Sequence, residues 1–339
     1  MNSNFRIKQC SDIYVGCISE VLPKLLPQGR VVVVTDANID RLYHALLAPY
    51  DYLLIGTGET IKTLRTVDDL YNKFIELGVD RSTFILAIGG GIVTDIVGFV
   101  ASTYMRGLKF GFVSTTLLGQ IDASIGGKNG INIQGYKNMV GVFNLPQFVL
   151  CDVNLLQTLP QREFRAGLAE LIKVSLVGDR TLFEQIEQTS VEALRREPEL
   201  LSRMVTAAIR VKVGIVERDE FETGDRRLLN LGHTLAHAIE KCSSKMNHGE
   251  AVAVGLHLVS RAAVALGLLS ADEGMRITHL LDKFGFVLTP PVEVRKLLQA
   301  IQKDKKWESG NLFVVLPALI GRCEVRKMPL ATLESLLKS

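Results

Sequence analysis

The sequence predicts an α/β unit followed by a helical unit. Three observations predict it. The first half alternates short apolar, β-rich runs with segments of helical period, as in a parallel sheet covered on both faces. After Pro160 the texture changes to helical segments with few strand-like runs. At 339 residues and 47% apolar content, the chain is long enough for two cores and too apolar for disorder.

The elements follow in order. Residues 31–35, 52–55, 84–88, 110–113 and 148–151 are apolar on both faces and read as buried strands. Residues 39–47, 60–77 and 92–103 read as the helices between them. Beyond Pro160, helices are expected over 164–177, 191–216, 227–241, 250–266 and 271–284. Pro290-Pro291 ends that series, and 311–316 reads as a short strand. The expected domains are residues 1–157 and 158–339.

Composition excludes several classes. Lys and Arg total 39 against 36 Asp and Glu, so the net charge of +3 offers no basic stripe for nucleic acid. Residues 1–16 contain Arg6 and Lys8 without the apolar run of a secretory leader. The most membrane-like window, 251–269, holds His257, Ser260 and Arg261, so it reads as a buried helix and no membrane association is expected. Five cysteines without a C-x-x-C pair predict free thiols and a cytoplasmic location. Twelve of the 29 glycines fall between Gly89 and Gly141, where backbone could wrap a ligand.

Several stretches carry chemistry. Asp36 ends the first strand-like run, where an acid can grip a ribose or cap the next helix. A strand leads into Gly89-Gly90-Gly91 and then a helix, which fits a phosphate cradle or a plain tight turn; it is not G-x-G-x-x-G. Ser114-Thr115-Thr116 follows the fourth strand. Three such sites at the carboxyl ends of successive strands favour a dinucleotide. Asp122, Lys128, Lys137 and Asn138 supply an acid, two cations and an amide within 17 residues. They suit an anionic, hydroxylated substrate, and a solvated hairpin is the plainer alternative.

In the helical half, His233, His237 and His248 cluster within 16 residues, with Glu250 just beyond. Three histidines and a carboxylate point to a divalent transition metal, zinc foremost. The i,i+4 spacing favours His233 and His237 as the ligand pair. No H-E-x-x-H is present, which weakens a metalloprotease reading. Glu170 and Lys173 lie one turn apart on an apolar helix. They form either a structural ion pair or a ligand beside a substrate-binding lysine.

These residues closely resemble the 3-dehydroquinate synthase family, the sugar-phosphate cyclases of the shikimate pathway. The resemblance runs from about Asp36 to Gly321. Its most specific stretches are Gly89 to Asp95, Tyr104 to Gly107, Thr115 to Leu118, Asp122 to Lys128, Lys137-Asn138, Glu170 to Lys173, Leu229 to Thr234, His237 to Glu240, His248 to Val252 and Asp304 to Lys306. Two departures stand out: Thr94 where the family more often has Gly, and Ser114 where Pro is frequent.

The resemblance implies an N-terminal Rossmann-like NAD-binding α/β domain, an all-α metal-binding C-terminal domain, a homodimer, and an active site between the domains. It makes Glu170, His233 and His248 the ligands of Zn2+, with Co2+ an alternative, and moves His237 to the substrate side. It assigns Asp36, Asn38, Glu59, Lys62, Gly89, Gly90, Gly91, Asp95, Thr115, Thr116, Lys137 and Thr158 to NAD. It assigns Asp122, Lys128, Asn138, Lys173, Lys212, Arg226, Asn230, His237 and a lysine of the 305–306 pair, Lys305 favoured, to substrate and catalysis. Arg106 resembles a residue that enters the neighbouring subunit's phosphate pocket. The implied activity is a phosphorus–oxygen lyase reaction, from 3-deoxy-D-arabino-heptulosonate 7-phosphate to 3-dehydroquinate and phosphate, with NAD+ reduced and regenerated in one turnover. The competing readings are another sugar-phosphate cyclase, a metal-dependent polyol dehydrogenase of the same architecture, and a non-catalytic NAD-binding regulator.

Overall fold

The computed structural model describes residues 3–302 and 311–338. The chain divides into two compact units, residues 1–160 and 161–339.

The first unit is built on strands β1 (Ser3–Ile7), β2 (Ser11–Val15), β3 (Val31–Asp36), β4 (Asp51–Ile55), β5 (Phe84–Gly89), β6 (Phe110–Ser114), β7 (Lys128–Ile133), β8 (Tyr136–Phe143) and β9 (Phe148–Cys151). Seven of them form one sheet in the order β1-β2-β9-β6-β5-β3-β4, and β7 pairs with β8 as a separate antiparallel hairpin. Every pairing in the large sheet is parallel except β1 with β2. Helices α1 (Ile18–Leu25), α2 (Ala37–Leu47), α3 (Leu64–Glu76) and α4 (Gly91–Thr103) complete the unit.

The five strands read from sequence are present; β3, β5, β6 and β9 lie inside the sheet with their apolar runs largely buried, whereas β4 is an edge strand with Leu54 37% exposed. All six residues of β5 are buried. Val33, Leu86, Ile88, Val113 and Leu150 form a core layer with Leu22, Ile39 and Leu47 of the helices. After β4 the chain crosses back to place β5 on the other side of β3. That reversal creates a crevice at the carboxyl ends of β3 and β5, where such sheets bind ligands.

One expected helix is divided. Residues 60–77 form a 3-10 turn, Glu59–Ile61, and then α3. Thr63 caps α3 by accepting the Thr66 N–H, and the Lys62 carbonyl accepts the Asn132 N–H at 2.8 Å. The chain leaves the helical path at Lys62 to meet the β7–β8 hairpin. The first strand pair and α1 had no counterpart in the sequence reading.

The second unit contains α5 (Gln161–Gly178), α6 (Arg180–Glu187), α7 (Val191–Arg196), α8 (Pro198–Arg218), α9 (His233–Cys242), α10 (His248–Ala265), α11 (Ala271–Lys283), α12 (Val294–Gln302) and α13 (Leu330–Lys338). The hairpin of β10 (Asn311–Leu319) with β11 (Arg322–Pro329) joins them, extending the strand expected at 311–316. The expected helix over 191–216 breaks at Pro198, which occupies the first turn of α8 and bars helix at the residue before it. The expected helix over 227–241 breaks at Gly232, whose φ of +75° is left-handed. The membrane-like window lies in α10, which is buried along most of its length. Among the described residues, no helix is long and apolar enough to cross a membrane. All five cysteines are thiols.

Helices α5 and α10 approach so closely that a Cβ on Gly249 would lie 2.3 Å from the Ala166 Cα and carbonyl oxygen. Backbone cannot yield there as a flexible side chain would. Gly249→Ala should therefore cost the helical unit about 1–3 kcal/mol by forcing the helices apart. Urea denaturation should show a lower midpoint, and an unchanged midpoint would contradict this packing.

Candidate functional site

In the first unit, the carboxyl ends of β3, β5 and β6 lie side by side. Thr35 pairs with Ile88 and Gly89 with Ser114. Asp36 caps α2, with Oδ1 accepting the N–H groups of Asn38 and Ile39 at 2.8 and 3.1 Å. The capping alternative for Asp36 is thus realised. Both bonds fall on Oδ1, so the cap leaves Oδ2 available to a hydroxyl. Tyr43 of α2 ties Thr158 to the same helix through hydroxyls 2.7 Å apart.

Gly90 is the N-cap of α4 and contributes no side-chain cap, so the helix opens with backbone N–H donors. Side chains at the three glycines have no room: a Cβ would lie 2.5 Å from Val93 at Gly89, 2.8 Å from Thr116 at Gly90 and 2.8 Å from Ala123 at Gly91. Thr115 donates its N–H to the Gly89 carbonyl, and the Thr116 hydroxyl accepts the Gly119 N–H. This narrow, donor-lined turn fits a pyrophosphate. The two departures sit behind it. Thr94 turns back onto the Gly91 carbonyl, and Ser114 is fully buried.

A polar network joins this cradle to the hairpin. The buried Lys62 Nζ donates to Asp95 Oδ2 at 2.6 Å and also to Asn138 Oδ1. Burial pushes the Asp95 carboxyl above its usual pKa; Glu59 and Asp122 add to that push, and Lys62 opposes it. Asn132 donates to Glu59 and accepts from Asn138. The structure thus gathers Glu59, Lys62, Asp95, Asp122 and Asn138 around the hairpin. Asn132 was not singled out in sequence; its position in the 122–138 stretch was the available signal. Lys128 and Lys137 are exposed on the hairpin, and Arg106 is exposed on a left-handed turn with φ +68°.

In the second unit, Glu170, His233 and His248 present ligand atoms that all lie within 4.8 Å of one another. His233 Nε2 and His248 Nε2 lie 3.4 and 3.3 Å from Glu170 Oε1. Two ligands of a tetrahedral zinc at 2.0–2.1 Å stand roughly 3.3–3.4 Å apart, so the spacing fits a metal. Glu170 is completely buried, and neither of its oxygens has a hydrogen bond of regular geometry. Its charge is answered by Lys173 Nζ, 2.5 Å from Oε2. A buried carboxylate of this kind fits a cation.

The outer nitrogens are also committed. His233 Nδ1 donates to the Leu231 carbonyl at 3.1 Å, which leaves Nε2 with the lone pair. His248 Nδ1 lies 3.3 Å from Glu240 Oε1. Burial lowers the His248 pKa, but Glu170 and Glu240 outweigh it and push it up to about 10. Glu240 belonged to a quoted stretch without receiving a role. Its seven-residue spacing from His233 along one helix was the signal.

The cluster is not the pair that the i,i+4 spacing favours. His237 is outside the cluster, its ring centroid 5.6 Å from that of His233, because His248 enters from a different helix. Glu250 also lies outside the cluster: it completes a capping box with Asn247 and pairs with Arg162 at 2.7 Å.

Lys212 is buried on α8. Arg226 is among the largest fully buried side chains and donates to the Glu220 carbonyl. Asn230 donates to the Glu222 carboxylate, an acid the sequence reading passed over. Asp219 organises this loop. Burial pushes its pKa up, but N–H bonds from Arg226, Gly224 and Thr223 outweigh that and hold it down at about 2. Lys305 and Lys306 lie outside the described residues.

Fold and site first define a class: an α/β unit with a glycine cradle followed by a helical unit with a Glu–His–His cluster. A 2-epi-5-epi-valiolone synthase from Streptomyces hygroscopicus subsp. jinggangensis 5008, solved with NAD+ and Zn2+ bound, superposes with a TM-score of 0.89. It is 30% identical, over 97% of this chain and 96% of its own. A 2-deoxy-scyllo-inosose synthase, complexed with carbaglucose-6-phosphate, NAD+ and Co2+, shares the fold at a TM-score of 0.90 and 24% identity, over 100% of this chain and 99% of its own. Family models described as 3-dehydroquinate synthase N-terminal and C-terminal match residues 52–166 and 167–307. A 3-dehydroquinate synthase from Pelotomaculum thermopropionicum is 44% identical over 89% of this chain and 85% of its own. The chain belongs to the 3-dehydroquinate synthase family.

If Glu240 orients His248, Glu240→Ala should weaken zinc binding about 10–100-fold. Competition with a chromophoric chelator measures it. Wild-type affinity in the variant would show that the Glu240 contact does not act on the metal.

Proposed function

We propose that the chain converts 3-deoxy-D-arabino-heptulosonate 7-phosphate to 3-dehydroquinate and phosphate, using NAD+ catalytically and a bound Zn2+ or Co2+. The observation that carries the reading is the Glu170–His233–His248 cluster, built on a buried carboxylate, in a chain of this family. When bound, the metal would polarise a substrate hydroxyl and NAD+ would accept and return a hydride.

The chain's own residues bind and orient. Residues 1–157 hold NAD through Asp36 and Asn38 at the ribose, the Gly89–Gly91 turn at the pyrophosphate, and Glu59, Lys62, Asp95, Thr115, Thr116 and Lys137 around them, with Thr158 added from just beyond that range. Residues 158–339 hold metal and most of the substrate. Lys128, Asn138 and His237 receive the phosphate, where fixed donors stabilise the charge that develops as it leaves. Arg226 receives the carboxylate with its planar fork. Asp122, Lys173 and Asn230 hold hydroxyls near the metal, and Lys212 and Lys305 complete the substrate set. The working form is a homodimer. Exposed Arg106, on its strained turn, reaches the partner subunit's phosphate pocket.

The defining assay supplies the heptulosonate phosphate with substoichiometric NAD+ and zinc. Phosphate and the carbocycle should form together, and a chelator should stop both. Sustained NADH formation from glycerol would instead mark a polyol dehydrogenase, and turnover only of a different sugar phosphate would mark another cyclase. Lys128→Ala should lower kcat/KM for phosphate release by about 100-fold or more with NAD+ affinity unchanged. Normal turnover in that variant would remove its phosphate role.

The dimer assignment has its own test. Arg106→Ala and a metal-ligand variant such as His233→Ala should each be inactive. Subunit exchange between them should recover part of the activity, because hybrids contain one site with both groups intact. Exchange without recovery would refute action across the interface.

A further inference from the structure

We propose that Asn132 is a positioning residue that locks the cofactor-side Glu59 to the substrate-side Asn138. The inference rests on the functional reading above for what those two residues bind.

Asn132 sits on β7 at a register shift of the β7–β8 hairpin, between the pairs Ile131–Val140 and Ile133–Tyr136. Its backbone N–H leaves the hairpin and donates to the Lys62 carbonyl at 2.8 Å. Its side chain makes two bonds of opposite sense. Nδ2 donates to Glu59 Oε1 at 2.8 Å, and Oδ1 accepts the Asn138 N–H at 2.9 Å. The chemistry forces this orientation: an ionised carboxylate can only accept and a peptide N–H can only donate. Only a side chain with both a donor and an acceptor fits.

The bond to Asn138 acts where the backbone needs help. Asn138 has φ +51°, a left-handed conformation that costs energy for a residue with a Cβ. Held there, its side-chain Oδ1 accepts from Lys62 Nζ, which is also fixed by Asp95. With the oxygen committed, the end of the amide offered outward is the Nδ2 donor, as an anionic group requires. Asn132 thus sets which face of Asn138 a ligand meets, and the same side chain restrains Glu59. A hairpin needs neither bond for its own ladder.

Two substitutions separate the arms. Asn132→Asp keeps an oxygen for the Asn138 N–H but sets a carboxylate against Glu59. NADH affinity, read by fluorescence titration, should fall roughly tenfold or more, as when a hydrogen bond to a charged group gives way to repulsion. The KM for the heptulosonate phosphate should stay within about twofold, because the Asn138 arm is kept. Asn132→Leu removes both arms, so NADH affinity should fall and KM should rise, each by roughly tenfold. The rescue is specific: in a Glu59→Gln background, Asn132→Asp should cost little further NADH affinity, because the glutamine amide can donate to the new carboxylate.

A merely structural asparagine would give variants that lose both functions in parallel with thermal stability, and no rescue by Glu59→Gln. That result overturns the proposal, as does wild-type behaviour of Asn132→Leu in both measurements. Failure of the functional reading looks different. Wild-type protein would bind NADH but release no phosphate, and the affinity and rescue measurements would still decide whether Asn132 restrains Glu59.

Discussion

The rest of the helical unit is arranged around one fully buried carboxylate. Glu170 lies at mid-length of α5, where its neighbours along the helix are almost all buried apolar residues. An ionised group there is costly by several kcal/mol unless other charges answer it. Lys173 answers from the next turn, while His233 and His248 arrive from α9 and α10. The approach of α10 depends on Gly249, whose missing side chain lets His248 come within reach of a residue one turn beyond Ala166. The ligands and the packing are therefore a single arrangement. Helices that met at an ordinary distance would leave the carboxylate stranded.

The α/β unit solves a different problem. Its crevice exists because the strand order reverses beside β3, and backbone supplies most of the chemistry there. Glycine at 89, 90 and 91 is required on steric grounds, since Val93, Thr116 and Ala123 fill the space that side chains would take. What backbone cannot supply is a link to the hairpin. Lys62 provides it by leaving the helical path, burying its ammonium beside Asp95 and reaching Asn138. A buried ammonium needs a carboxylate, and Asp95 is held near it despite a burial penalty that raises its pKa.

Legibility in the sequence followed the range of the interactions. Four of the strands, β3, β5, β6 and β9, were readable because burial on both faces writes itself as uninterrupted apolar residues, and β4 at the sheet edge was readable from a shorter apolar run. Helix breaks at Pro198 and Gly232 were readable residue by residue, yet a run of helical period hid them. The break at Lys62 was only partly readable: Thr63 is a local cap for α3, but the Lys62 carbonyl is taken by the N–H of Asn132, 70 residues away. The metal cluster shows the same limit. Spacing on one helix nominated His233 and His237, whereas the cluster takes one histidine from each of two helices and a carboxylate from a third. Resemblance to a family supplied that assignment where periodicity could not. Glu240 and Asn132 escaped notice because each acts through another residue and so carries no motif of its own.

Burial also sorts the cations, which the net charge of +3 concealed. Lys62, Lys173 and Lys212 are buried, and the first two spend their charge on Asp95 and Glu170. A lysine so engaged shapes the site's interior but is poorly placed to capture an anion from solution. Lys128, Lys137 and Arg106 are exposed, and the two lysines stand on a hairpin whose backbone is tied down by Asn132. In the proposed reaction, exposed Lys128 and Arg106 are the cations placed to capture the phosphate, and buried Lys173 and Lys212 are those placed to align the substrate. Exchanging the two kinds, by exposing Lys173 or burying Lys128, would forfeit both.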